Sequence, residues 1–264
     1  MANERIKWES TKVLDFGIDL GFWNNKLTAS FDWYNKVTSD FLSSSTAFPS
    51  YIGLTAPTVN YGTLRNRGIE LGLQYREKIG EVSLTLNGNI QANSNKVIKY
   101  GAERILGNTI IREGLPYGSF YLLESVGIFR SKEEIASSPK QQVPAQPGYL
   151  KFADVDGDNK VDNNDRVVVP GAFPDFDYSF NATAVWKNFD FTAFFFGSQG
   201  QKIFVSEWGI VPFRQGGTFT REWMDAWTPE NPNASLPIVG LDNSPAANNV
   251  RTASTFFLKD GSFL

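Results

Sequence analysis

Three stretches of the chain alternate between apolar residues and polar or small residues. A period of two places successive side chains on opposite faces of an extended strand. A short turn interrupts each stretch, so each predicts a hairpin of two long antiparallel strands. The turns are predicted at Asn24 and Asn25, at Ile79 and Gly80, and at Lys187 and Asn188. The apolar positions include Leu14, Phe16, Ile18, Leu20, Phe31, Trp33, Ile69, Leu71, Leu73, Leu84, Leu86, Ile90, Phe180, Phe191 and Phe195.

The connections between these hairpins are long, at about residues 42–63, 96–177 and 199–254. Short turns that alternate with long connections are typical of barrels in the bacterial outer membrane, whose long loops are extracellular. The pattern therefore favours an all-β fold: an antiparallel transmembrane β-barrel segment with long extracellular loops, built as a meander of long hairpins that does not close. The alternative is a soluble, calcium-stabilised β-sandwich that binds glycans, since a sandwich would bury the same apolar faces between two sheets.

The second connection contains features of its own. Candidate strands at residues 118–129 and 148–152 flank a short helix predicted at Lys132–Ala136. Because strands of a barrel alternate in direction, these two strands cross the membrane as a pair or not at all. The third connection is rich in tryptophan, proline and asparagine and ends at residues 255–258.

The composition excludes several classes of function. The chain has no cysteine and no histidine, so it carries no Ser-His-Asp triad, no Cys-His pair and no imidazole or thiolate metal site. No phosphate-binding loop and no nucleophile elbow occurs in the sequence, and we expect no enzymatic activity. The net charge is −3 and no run of Lys or Arg exceeds two residues, so nucleic acid is not an expected partner.

An acidic motif at residues 154–165 has the ligand spacing of a calcium loop. Carboxylates occupy positions 1, 3, 5, 9 and 12 of the twelve residues, and position 7 can offer a backbone carbonyl. The motif departs from the usual pattern in ending with Asp instead of Glu and in having Asn159 at position 6 instead of Gly. We predict a structural Ca²⁺; the alternative is an acidic turn held by its own Asx hydrogen bonds. The predicted ligands are Asp154, Asp156, Asp158, the carbonyl of Lys160, Asp162 and Asp165.

Four aromatic residues in the third connection are candidates for contact with a substrate or a partner. Aromatic rings stack on sugars and pack against proteins, but they also fold a loop upon itself. Both interpretations remain open at the level of sequence. The residues are Trp208, Phe213, Trp223 and Trp227.

Several short stretches together resemble the barrel of SusC/RagA-type TonB-dependent outer-membrane transporters. Each stretch is modest alone, but their order and spacing extend over nearly the whole chain. They are IKWESTK (6–12), DWYNKVTSD (32–40), NRGIEL (66–71), GSFY (118–121), the acidic motif (154–165), PGAFPD (170–175), FFGSQG (195–200), WTPENPN (227–233) and DGSFL (260–264).

The resemblance implies a location in the bacterial outer membrane, in contact with its lipid, and a role in nutrient uptake. It implies a barrel of about 22 strands around an N-terminal plug. It further implies import of an oligosaccharide or peptide substrate, with a SusD-like surface lipoprotein and with energy from the TonB complex acting through the plug. Residues 1–264 are then expected to be a partial barrel domain of six to eight strands, with the acidic motif as an insertion and with the plug and the last strands missing.

Overall fold

The computed structural model describes residues 6–44, 58–205 and 211–264. The regular structure of its described part is mainly strands, with two short α-helices, α1 (Lys132–Ala136) and α2 (Pro245–Val250). The strands are β1 (Ser10–Phe22), β2 (Leu27–Ser44), β3 (Thr58–Ile79), β4 (Val82–Lys99), β5 (Arg104–Leu106), β6 (Thr109–Ile111), β7 (Ser119–Leu123), β8 (Ser125–Ile128), β9 (Leu150–Phe152), β10 (Arg166–Val169), β11 (Phe176–Trp186), β12 (Phe189–Gln199), β13 (Lys202–Phe204) and β14 (Leu258–Asp260).

Six long strands form one antiparallel sheet in the order β1-β2-β3-β4-β11-β12. The three predicted hairpins are confirmed, and their strands pair in chain order, with a long excursion between β4 and β11. The first turn is larger than predicted: it contains residues 23–26, and Trp23, Asn24 and Asn25 all have positive φ. Within the described residues β1 does not pair with β12, so the sheet is open at both edges. The predicted meander that does not close is therefore confirmed.

The strand register places the apolar residues on one face of this sheet. Ile18 lies opposite Phe31, and Phe31 lies opposite Leu71 on the next strand. These side chains are not covered: Phe16 is 62% exposed and Ile18 is 45% exposed. A β-sandwich would bury such a face against a second sheet, so the sandwich alternative is wrong and the barrel segment is confirmed.

The excursion between β4 and β11 forms smaller sheets. The first candidate strand, predicted at residues 118–129, is divided into β7 and β8, because β7 joins a four-stranded sheet in the order β10-β7-β6-β5 whereas β8 pairs with β9. Neither β8 nor β9 joins the six-stranded sheet, so this pair does not cross the membrane with the long strands. The predicted helix α1 is confirmed, and the Ser131 hydroxyl caps it by accepting a hydrogen bond from the backbone N–H of Glu134. The end of the third connection forms a 3₁₀ turn, Thr255–Phe257, followed by β14.

The excursion and the described residues after β12 pack together into one loop domain, which we define as residues 97–175, 200–205 and 211–264. Every buried hydrophobic residue in the described part of the chain lies between Val97 and Phe257. Of the six long strands, only β4 contains one of them, Val97 near its end. The side chain of Asn249 links the two halves, since it accepts a hydrogen bond from the backbone N–H of Leu150 (2.7 Å) and donates one to the carbonyl of Leu150 (3.1 Å). The described helices are too short and too polar to traverse a lipid bilayer.

Candidate functional site

The acidic motif lies in the loop domain between β9 and β10. It is joined to a neighbouring segment by two backbone hydrogen bonds, from Lys140 N–H to the carbonyl of Asn159 (3.1 Å) and from Val161 N–H to the carbonyl of Lys140 (2.7 Å). Three carboxylates at its start converge: oxygen atoms of Asp154, Asp156 and Asp158 all lie within 4.8 Å of one another. The motif thus brings together three of the predicted ligands.

Backbone N–H groups of the motif itself hold these carboxylates in place. Asp154 accepts hydrogen bonds from Gly157 N–H (2.7 Å) and Asn159 N–H (2.9 Å). Asp156 and Asp158 each accept one from the residue two positions further on, at 3.1 Å and 2.9 Å. The chain folds so tightly because Gly157 and Asn159 take left-handed φ values of +78° and +67°. Asn159 therefore serves at position 6, where the usual calcium loop has glycine.

Lys160 contributes its ammonium group to the motif. Its Nζ lies 3.1 Å from an oxygen of Asp158 and 2.7 Å from an oxygen of Asp162. The hydrogen bond from Lys160 lowers the pKa of Asp162, helped by one from the backbone N–H of Asn164. The two carboxylates in turn raise the pKa of Lys160 above its ordinary value. Asp162 is thus paired with the ammonium group of Lys160, which also contacts Asp158 of the three-carboxylate cluster.

Asp165 accepts hydrogen bonds from backbone N–H groups at both ends of the motif. It is only 1% exposed. One of its oxygens accepts hydrogen bonds from Val155 N–H (2.7 Å) and Asp156 N–H (3.3 Å), and the other accepts one from Asp162 N–H (2.7 Å). Burial alone would raise the pKa of Asp165, but the three N–H donors outweigh it and leave the pKa below the ordinary range. In this conformation Asp165 holds the two ends of the loop together and does not join the three-carboxylate cluster.

The four candidate aromatic residues have different environments. Trp208 lies outside the described residues. Trp223 and Trp227 are buried, at 5% and 7% exposure, and Trp223 packs in a core cluster with Val211, Ala226, Val250 and Phe257. Phe213 is half-buried and lies edge-on to Phe219 with ring centroids 5.3 Å apart. The burial of the two tryptophans supports the interpretation in which they fold the loop.

The polar face of the long sheet carries a groove that the sequence did not single out. Asp32, Glu70 and Asp177 project from this face, together with Gln91, because Asp32 lies opposite Glu70, Glu70 opposite Gln91 and Gln91 opposite Asp177. The groove has a volume of about 340 Å³. Each of these residues is visible as a polar position in the alternating pattern, but only the register of four strands shows that they lie in one row.

Comparison with known proteins identifies the same architecture. Residues 1–112 match the family model described as TonB dependent receptor-like, beta-barrel. The whole chain is 30% identical to TonB-dependent receptor P3 of Formosa agariphila and covers 27% of that protein. A similarity of 25% identity extends over 72% of the chain to TonB-dependent receptor SusC of Bacteroides thetaiotaomicron, of which 19% is covered. The chain spans about a quarter of the length of the curated relatives it matches.

Solved structures share the fold. The structure of the RagAB peptide transporter aligns with 97% of this chain at a TM-score of 0.74 and 20% identity, over 28% of that protein's chain. The RagAB peptide importer in its closed-closed state aligns with 98% of the chain at a TM-score of 0.75 and 21% identity, again over 28% of that protein's chain. At these identities the likeness applies to the fold.

Proposed function

This chain belongs to the TonB-dependent receptor β-barrel family as a SusC/RagA-like segment, and on that premise we propose that it serves in the import of oligosaccharides or peptides. Proteins of this family are outer-membrane β-barrels. The role we propose is transport and not catalysis, with a SusD-like surface lipoprotein and the TonB complex as partners and with the plug of the whole receptor as the contact for TonB.

One observation carries this proposal: six antiparallel strands present a continuous apolar face that none of the described residues covers. Ile18, Leu71 and Ile90 are aligned on it and are between 37% and 45% exposed. In an outer-membrane barrel the outward face contacts lipid and the inward face is polar. The opposite face of this sheet is polar, and Gln74 and Asn87 on it are joined by a hydrogen bond of 2.6 Å.

The substrate class is tested by growth of a strain that lacks the whole receptor gene. We expect the deletion to abolish growth on one defined class of polymer, oligosaccharides or peptides, while growth on monosaccharides and free amino acids is unchanged. The intact gene should restore growth, and a copy that cannot couple to TonB should not. Normal growth of the deletion strain on both polymer classes would refute the import role.

The partner is tested by purification of the tagged receptor from outer membranes. We expect a SusD-like lipoprotein, encoded beside the receptor gene, to co-purify in a fixed ratio. If the receptor imports its substrate normally in a strain without that lipoprotein, the partner part of the proposal is wrong and the transport part stands.

We also propose that residues 154–165 hold a structural Ca²⁺ around Asp154, Asp156 and Asp158. The donor set fits this ion, because Ca²⁺ takes oxygen ligands at about 2.3–2.6 Å in flexible geometry. The three carboxylates already lie within 4.8 Å of one another, and a cation would relieve their mutual repulsion. The carbonyl of Lys160, Asp162 and Asp165 are the further ligands predicted from the sequence, and for Asp165 this requires release of its backbone N–H donors. The role of the ion is to order the loop.

Hydrogen exchange of residues 154–165 in the intact receptor tests this metal site. We expect removal of Ca²⁺ by EGTA to speed exchange in this loop, and Asp156→Ala with Asp158→Ala to make exchange fast and independent of Ca²⁺. The control is Asp190→Ala with Glu230→Ala, which removes two exposed carboxylates elsewhere and should keep the Ca²⁺ response. If EGTA leaves exchange in the unmodified receptor unchanged, the loop is an acidic turn held by its own hydrogen bonds.

A further inference from the structure

Two arginines flank one tyrosine on the four-stranded sheet of the loop domain. The guanidinium carbon of Arg112 lies 5.6 Å from the centre of the Tyr121 ring, and that of Arg166 lies 5.9 Å from it. The register explains this arrangement, because Arg166 lies opposite Leu123 and Ile110 lies opposite Ser119. Residues two apart on a strand share a face, so Arg112, Tyr121 and Arg166 project from the same side of the sheet.

The positive charge of this group is only partly compensated. Arg112 donates through Nε to Glu103 at 2.7 Å. Arg166 has no carboxylate partner within the described ranges; its Nη1 donates to the carbonyl of Gly107 at 3.1 Å. The Nε–H of Arg166 is enclosed by the protein, and no described residue accepts its hydrogen bond. A half-buried cation without a counterion is costly in free energy, and an anion beside the other nitrogens of this guanidinium group would lower that cost.

We propose that Arg112, Tyr121 and Arg166 form a binding site for an oxyanion, a carboxylate or a sulfate group, on the surface of the loop domain. The planar guanidinium group matches such anions through paired N–H donors. The site is open to solvent, because the side chain of Arg112 is 39% exposed and Tyr121 and Arg166 are half-buried. The proposal rests on the loop domain and is independent of the transport role.

Titration of the purified full-length receptor with sulfate and with acetate, at constant ionic strength, tests this site calorimetrically. We expect a saturable site for one or both anions, and the stronger of the two identifies whether a tetrahedral or a planar group is preferred. Arg166→Gln should weaken binding about tenfold or more, since hydrogen bonds to charged groups contribute over 1.4 kcal/mol, a factor of ten. Arg166→Lys should weaken binding less, because the charge is kept and the paired donors are lost.

Arg104→Gln is the matched control. Arg104 lies in the same sheet opposite Ile111, and therefore projects from the other face. The Arg104→Gln substitution removes the same charge and should leave the affinity for the anion unchanged. If Arg166→Gln fails to fold, Arg112→Gln takes its place with the same expected loss, since the side chain of Arg112 is 39% exposed. Absence of saturable binding of both anions to the unmodified receptor, or an equal loss in Arg104→Gln, overturns the proposal.

Discussion

The loop domain buries its apolar side chains, whereas the long sheet leaves most of its apolar side chains exposed. In the sheet Leu14 is 62% exposed and Phe16 is 62% exposed, and among its described residues the only buried hydrophobic side chain is that of Val97, near the end of β4. In the loop domain Phe129 and Leu150 are completely buried and Val211 is 1% exposed. Both regions have apolar residues in quantity, but only the loop domain covers them with its own chain.

This difference shows that the two regions fold in different solvents. An exposed apolar face of this size is unfavourable in water and favourable against lipid, where the closed barrel satisfies the backbone hydrogen bonds. The loop domain follows the rules of proteins in water, with apolar clusters inside and paired charges such as Arg112 and Glu103 outside. A substitution in one region should therefore leave the other region unchanged, and the other region can serve as its control.

The largest expected effect concerns the side of the outer membrane that each region faces. This chain has no cysteine, so a cysteine introduced into a cysteine-free form of the full receptor can be labelled singly. Asn163→Cys in the loop domain should react with a membrane-impermeant maleimide on whole cells. Glu81→Cys, in the short turn between β3 and β4, should react only after the outer membrane is permeabilised. Labelling of both positions on whole cells would contradict the prediction that the long connections are extracellular and the short turns periplasmic.

A charge on the lipid-facing side of the long sheet should be strongly destabilising. Ile90→Arg places a cation on the apolar face near the middle of β4 and should lower the free energy of unfolding by about 2–4 kcal/mol. Asn89→Arg, one residue away on the polar face, should change it by no more than about 0.5 kcal/mol. Unfolding of the full receptor in lipid vesicles by guanidinium measures both. Equal effects of the two substitutions would show that lipid does not contact the apolar face.

Removal of the hydrogen bonds that join the two halves of the loop domain should lower stability by a similar or smaller amount. Asn249→Ala leaves both the N–H and the carbonyl of Leu150 buried without partners, and should lower the free energy of local opening by about 2–4 kcal/mol. Asn248→Ala is the control, since Asn248 is exposed. Hydrogen exchange of residues 148–152 measures the change, and the long strands should keep their protection.

The smallest expected effect concerns pH and Asp165. Its pKa is lowered in the folded state, so its stabilising contribution is present above the pKa of an unfolded Asp, about 3.9, and is lost as the pH falls through the lowered value. Residues 154–165 should therefore become more accessible to acid-stable protease below about pH 4. Asp165→Asn should be cleaved faster at neutral pH and show less change on acidification. A cleavage rate that is the same at every pH in the unmodified receptor would show that ionised Asp165 does not hold the two ends of the loop together.

The local features of this fold were predictable from the sequence. Alternation predicted the three hairpins, and a short helix was predicted at Lys132–Ala136 where the structure has α1. The acidic motif was predictable as a loop of convergent carboxylates, and Asp154, Asp156 and Asp158 do lie together. The sequence could not indicate that Lys160 would turn its ammonium group toward Asp158 and Asp162, because ligand spacing describes the backbone of such a loop and not the competition between side chains.

What the sequence by itself determined is the orientation of side chains within each strand, since a period of two is a property of the backbone alone. The tertiary structure decided which distant segments meet. The split of residues 118–128 into β7 and β8, the contact of Leu150 with Asn249 and the buried position of Trp223 all depend on pairing across long intervals. Such pairing is selected by the total burial and hydrogen bonding of the folded chain, which no local pattern encodes.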